Sequence, residues 1–139
     1  MNNRPIKFRA WNKEKKTMWD VTSINWYDEY MWVDETPMTG EKLPIEWTPL
    51  MQFTWLIDEL HHEIYEGDII EFEQYWYTYG ASGTDKVRRE VTWQDSYWAW
   101  WSFWKAEKDG EKRWSFPFPT CRIVGNIYEN PELLAPLSN

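Results

Sequence analysis

Disulfide chemistry is excluded first. The 139-residue sequence holds one cysteine, Cys121, which cannot close an internal bridge, so the expected setting is a reducing or redox-indifferent compartment. Cys121 stands beside Arg122 in an otherwise apolar stretch and reads as a small buried hydrophobe rather than a reactive thiol. No apolar run approaches the ~18 residues that cross a bilayer. The opening Met1-Asn2-Asn3-Arg4-Pro5 has one positive charge with no apolar stretch behind it, so the expected location is the cytoplasm, with no membrane partner. Basic charge is short as well: 15 Lys and Arg stand against 23 Asp and Glu, for a net charge of -8. Such a chain repels phosphate backbones, which disfavours general nucleic-acid binding, and it attracts basic surfaces.

Catalytic and metal motifs are equally thin. The only two histidines are adjacent, in His61-His62-Glu63. In an extended chain His61, Glu63 and Glu59 share a side, but neighbouring histidines diverge and a structural zinc wants four ligands. The segment reads as a solvated turn. Gly80-Ala81-Ser82-Gly83-Thr84-Asp85 reads as a loop, and it lacks the lysine of a phosphate-binding loop and precedes a strand-like segment, not a helix. Neither histidine falls near a Ser or Cys in an elbow-type glycine setting. Acidic neighbours such as Asp28-Glu29, Asp34-Glu35 and Asp58-Glu59 read mostly as solvated. The expectation is a non-enzyme with no cofactor and no metal.

Tryptophan is what the chain has in excess: 13 residues, within an aromatic content of 19%, several times ordinary usage. Each large ring buries about 150–250 Å², so a few would fill an interior of this size. The remainder are expected at an interface, in a pocket or half exposed.

Short alternating segments separated by turns predict an all-β chain. Residues 6–11 and 17–24 read as a hairpin around the polar turn 12–16. A further short strand falls in 25–33, and 34–49, with three prolines and a glycine, reads as a loop and boundary. Residues 50–56, 63–65 and 69–73 read as strands, with a tight turn at Glu66-Gly67-Asp68. Val87–Trp93 and Tyr97–Trp104 follow as strands, the chain reverses at 108–111, and the prolines of 114–119 exclude a central strand. Cys121–Tyr128 is the last strand, and Asn130–Leu134 is a short helical turn opened by proline.

Three blocks carry a family resemblance. They are Ile6-Lys7-Phe8-Arg9-Ala10-Trp11 with Lys13–Lys16 and Met18; Leu50-Met51-Gln52-Phe53-Thr54 with Glu63–Ile70; and Val124–Leu134. In this order the chain resembles the YopX family of small phage and prophage proteins. The resemblance implies an irregular N-terminal β lobe, 1–49, followed by a C-terminal SH3-like barrel, 50–139, and makes homo-oligomers plausible. It implies no catalytic residue. The chain departs from the pattern at Trp55, where glycine is common, in the turn Asp58-Glu59-Leu60-His61-His62, and in the aromatic stretch 75–114.

If 97–104 is extended, Tyr97, Ala99, Trp101 and Phe103 share one face, and Trp98, Trp100, Ser102 and Trp104 the other. Tyr75, Tyr77 and Tyr79 against Trp76 repeat the theme. One face lines a core; the other either packs on the N-terminal lobe or meets a partner. The candidate binding residues are Trp98, Trp100, Trp104, Trp76, Tyr77, Arg88 and Arg89. Trp, Tyr and Arg are enriched in protein hot spots, and the favoured expectation is a phage-encoded protein that captures and neutralises a bacterial host protein, with anti-phage defence as the setting. The alternatives are a sponge stacking a nucleotide signal on indoles, with Arg88, Arg89, Lys105, Lys112 or Arg113 on its phosphate, and a homo-oligomeric structural protein.

Overall fold

The computed structural model describes residues 5–34, 40–94, 97–99, 105–108, 111–114 and 120–135; for residue 78 and, from 93 to 114, those just given, it describes the backbone alone. The chain is mainly β, as its alternation predicts, and divides into two compact units, 1–55 and 56–139.

In the first unit the strands are β1 (Phe8–Asn12), β2 (Thr17–Asn25), β3 (Tyr30–Asp34), β4 (Glu41–Pro44) and β5 (Leu50–Ile57). They lie antiparallel in the order β4-β3-β2-β1-β5, with Ala10 opposite Trp19 and Leu50. Two turns of one design set the meander. Asn12 Oδ1 accepts the amides of Glu14 at 3.0 Å and Lys15 at 2.9 Å. Asn25 Oδ1 accepts those of Tyr27 at 3.0 Å and Asp28 at 2.9 Å. An asparagine side chain can close a turn on its own following backbone in this way. In each turn the residue four places on, Lys16 or Glu29, takes a positive φ, 53° and 55°. The core beneath is Ala10, Trp19, Met31 and Val33, with Val21, Leu43 and Leu50 packed on it. Each fully buried aliphatic side chain contributes about 1.5–3 kcal/mol.

The expected loop 34–49 contains a strand. β4 pairs residue for residue with β3, Leu43 opposite Met31. Pro44, its last residue, sits at the sheet edge, where a missing donor costs no ladder bond.

The second unit holds the end of β5, then β6 (Glu63–Tyr65), β7 (Asp68–Thr78), β8 (Ala81–Glu90), β9 (Thr92–Gln94), β10 (Tyr97–Ala99), β11 (Lys105–Lys108), β12 (Glu111–Trp114) and β13 (Arg122–Asn126), closing on a 3-10 turn, Pro131–Leu134. β9 and β10 form a two-stranded ladder, while β11-β12-β7-β13 form a second antiparallel sheet, with β8 also on β7. Its core is Ile64, Ile70, Phe72, Val91 and Cys121, with Leu56, Val87 and Ile123 against it.

The expected glycine loop 80–85 is also strand. β7 and β8 form one long hairpin, from Ile69 opposite Glu90 to Thr78 opposite Ala81, and only Tyr79-Gly80 turns the chain. Gly80 takes φ 87°, open to glycine at no steric cost. Gly83 stays in the strand because the Trp76 indole lies across it: a Cβ there would stand 2.7 Å from Trp76 Cζ2.

β13 carries a bulge between Ile123 and Gly125, and the end of the chain is folded onto it. Asn126 Oδ1 accepts the amides of Tyr128 and Glu129 at 3.0 and 2.9 Å. The Asn130 side chain fills the space where Gly125 lacks a Cβ, which would come within 2.9 Å of Asn130 Cβ. Gly125→Ala should therefore lower stability by about 1–3 kcal/mol, as overpacking does. Urea unfolding monitored by circular dichroism checks this, and adding Asn130→Gly should recover part of the loss.

Candidate functional site

β7 organises the second unit because it is shared. One edge pairs with β8 throughout. The other pairs with β13 over Asp68–Glu71 and with β12 over Tyr75–Tyr77. Between the pairs Glu71–Arg122 and Tyr75–Trp114, β7 advances four residues while the opposing chain spends eight. Beside this gap lies a surface cleft of about 390 Å³.

The floor of the cleft comes from Glu71, Phe72, Glu73 and Tyr75 of β7 with Lys86 of β8; Glu59, Thr120 and Arg122 form the wall. Strand alternation explains the division of β7: Ile70, Phe72 and Gln74 are buried, whereas Glu73, Tyr75 and Tyr77 are exposed. Register then places Arg88 opposite Glu71 and Lys86 opposite Glu73. Arg88 Nε donates to Glu71 at 2.9 Å and Lys86 Nζ lies 3.2 Å from it. Burial works against the Glu71 charge, but hydrogen bonds from Arg88 and Lys86 outweigh it and hold the carboxyl below its ordinary range. On the wall, Arg122 Nε donates to Glu59 at 2.7 Å. Exposed pairs of this kind contribute about 0–1 kcal/mol each, so they shape the cleft more than they stabilise it.

The wall is held by Asp58, whose side chain is fully enclosed. Its Oδ1 accepts the amides of Leu60 at 2.9 Å and His62 at 2.8 Å, and its Oδ2 that of Ile123 at 3.2 Å. The His62 ring lies 3.3 Å from Oδ2. This carboxylate closes the turn 58–62 and ties it to β13; Glu59 N–H, donating to Cys121 O at 2.9 Å, adds a second tie. Burial opposes the Asp58 charge, yet the donors from His62, Ile123 and Leu60 prevail and lower its pKa. Asp58 is therefore a structural carboxylate, not a solvated one. His61 takes φ 66° within the same turn, and Trp55, the other departure from the family pattern, takes φ 64°. Trp55 Nε1 donates to Pro5 O at 2.8 Å.

Glu71 is ionised at neutral pH, the His62 ring is turned to Asp58, and neither histidine lines the cleft. Glu90, whose pKa is raised by burial and by the Glu66 charge, lies opposite Ile69 at the far end of the hairpin. Among the described residues no group of His, Cys, Asp and Glu could hold a metal. Cys121 is wholly buried, and burial, then the Asp58 charge, pushes its thiol up to about 12.

The residues singled out in the sequence separate onto two faces. Tyr77 is 52% exposed and shares the solvent face of the hairpin with Tyr75, at 58%, and with Arg88. Trp76 and Arg89 alternate to the opposite face, where Trp76 is half-buried over Gly83. Arg88 is committed to Glu71, while the exposed Arg89 donates to Arg88 O at 3.1 Å. Trp98 stands opposite Trp93 in the β9–β10 ladder; its side chain, and Trp100 and Trp104 entirely, lie outside the described residues. Sequence reading missed Glu59, Glu71 and Arg122, whose charges meet only through long-range pairing. For Asp58 a local signal existed: an acidic residue leading a short turn, as Asn12 and Asn25 do.

The fold is thus that of a two-unit, mainly β protein whose second unit carries exposed tyrosines beside a charged cleft. The family model described as YopX protein matches residues 7–135, and the chain belongs to this family. Among solved structures, protein EF1440 from Enterococcus faecalis is similar, with 26% identity and a TM-score of 0.57 over 94% of this chain and 98% of that one. No curated protein matches the chain.

Two predictions test this account. Because the Asp58 pKa is depressed on folding, its contribution is full above the ordinary value of 3.8 and is lost as pH falls through the folded-state value. Asp58→Asn should lower the urea midpoint at pH 7, and its deficit against the parent should shrink below about pH 4. Cys121 should react with a thiol reagent at the rate of unfolding, so labelling should accelerate with urea and not with modest rises in pH.

Proposed function

We propose that the protein is a non-catalytic, phage- or prophage-encoded accessory protein that binds a bacterial host protein and neutralises it, anti-phage defence being the setting. The single observation supporting this reading is the tyrosine face of the β7–β8 hairpin. Tyr75 and Tyr77 stand on consecutive outward positions, and Tyr79 at the turn beyond them is fully exposed. Their cross-strand neighbours on β8 are the small Thr84 and Ser82, and both rings remain more than half exposed. Tyrosine contributes a large, rigid, amphipathic contact area at little entropic cost, which is why it dominates evolved recognition surfaces. The cleft adjoins through Tyr75 and offers fixed charges at the rim. The net charge of -8 favours a partner with a basic face. Work in the cytoplasm of an infected or lysogenic bacterium is part of the same proposal.

The test is functional. Expressed in a strain whose defences restrict a phage, the protein should raise plating efficiency and retain one host protein stoichiometrically on affinity purification. Tyr75→Ser combined with Tyr77→Ser should lose both effects, by at least tenfold in retained partner, with an unchanged circular dichroism spectrum. Full retention by the double variant would remove the tyrosine face from the proposal. Failure to retain any protein, with tryptophan fluorescence instead quenched by cyclic dinucleotides, would replace host-protein capture by nucleotide sequestration.

A further inference from the structure

Lysines of the first unit repeatedly rest on aromatic rings. Lys7 Nζ stands 5.3 Å from the Phe53 ring centre, Lys15 Nζ 4.5 Å from that of Trp19, and Lys42 Nζ 3.7 Å from that of Tyr30. Lys15 shows the arrangement in full, because Glu41 Oε2 lies 2.6 Å from the same ammonium. A cation is held between a π face and a carboxylate.

At one end of this sheet the same two kinds of group stand without a cation. The turn 26–29, between β2 and β3, and the turn 45–48, after β4, are joined by the Ile45 amide donating to Glu29 O at 3.0 Å. They present Trp26, Tyr27 and Trp47, exposed by 65, 95 and 63%. They also present Asp28, Glu29 and Glu46, all exposed, and they contain no Lys or Arg. Among the described residues no ammonium lies on these three rings. The first turn is braced: Asn25 Oδ1 accepts two of its amides, and Asn25 Nδ2 donates to Asp28 Oδ2 at 2.9 Å. Bracing of this kind spares a binding surface part of its ordering cost.

We propose that these two turns are a docking site for a basic segment of a partner protein. A Lys or Arg side chain rests on Trp26, Tyr27 or Trp47, while Asp28, Glu29 and Glu46 supply the counter-charge. Charge decides among occupants. A second copy of this chain brings its own net charge of -8, and a phosphate ligand or an anionic bilayer meets three carboxylates. A cation is attracted to the face of an indole, most strongly when desolvated. The site lies in the first unit and does not depend on the tyrosine face of the second.

An end-blocked hexalysine peptide and its fully acetylated counterpart are the probes, with the full chain observed by NMR of its indole N–H groups at low salt. Hexalysine should shift the Trp26 and Trp47 signals saturably, and the acetylated peptide should not. Trp26→Ala with Trp47→Ala should weaken hexalysine binding by about tenfold, as should Glu29→Gln with Glu46→Gln, each with an unchanged urea midpoint. The proposal is overturned if both peptides shift the signals alike, if the tryptophan variants bind hexalysine as the parent does, or if the signals move with protein concentration alone. The first result would mark an apolar contact, the second a diffuse acidic surface, and the third a contact between copies.

Discussion

One enclosed carboxylate, that of Asp58, carries the architecture around the cleft. A buried charge without partners would be strongly unfavourable, so the fold must deliver donors to it. It delivers the backbone amides of Leu60, His62 and Ile123. Two of these come from the turn that Asp58 itself begins, and the third from β13. Satisfying one side chain therefore seats the end of β5 against the last strand of the sheet. Glu59 and Arg122, neighbours of the residues so joined, form the wall of the cleft as a consequence.

The same device recurs in weaker form. Asn12, Asn25 and Asn126 each end a strand and close the next turn with a side-chain oxygen. These turns are set locally, at about 1 kcal/mol per net hydrogen bond. The residues that give the chain its family resemblance, such as Gly67, Gly125 and Asn126, do backbone work: a positive φ at Gly67, a close approach at Gly125, a capped turn at Asn126. The shared pattern is one of folding.

The aromatic surplus has a physical destination. Trp11 and Trp19 are buried, Trp55 and Trp76 are half-buried, and Trp26, Trp32 and Trp47 are exposed. Rings beyond the capacity of the cores therefore do reach solvent. They do so on turns and on β3 of the first unit and, as tyrosines, on the β7–β8 hairpin. Both the turns 26–29 and 45–48 and the β7–β8 face lie beside carboxylates.

Alternation along the chain was enough to determine the β class, the hairpin at 12–16, the tight turn at 66–68, the return at 108–111 and the proline-opened final turn, because each rests on contacts between near neighbours. Cys121 was legible as a core residue for the same reason, an apolar context. What only tertiary structure decided involves partners far apart in sequence. Pro44 belongs to β4 because β3 offers it an edge, and Gly83 belongs to a strand because the Trp76 indole covers it. Asp58 is a buried anchor instead of a wet acid because Ile123, from a strand 65 residues away, donates to it. Local pattern specifies which way each side chain points, but only the pairing of strands specifies what it meets there.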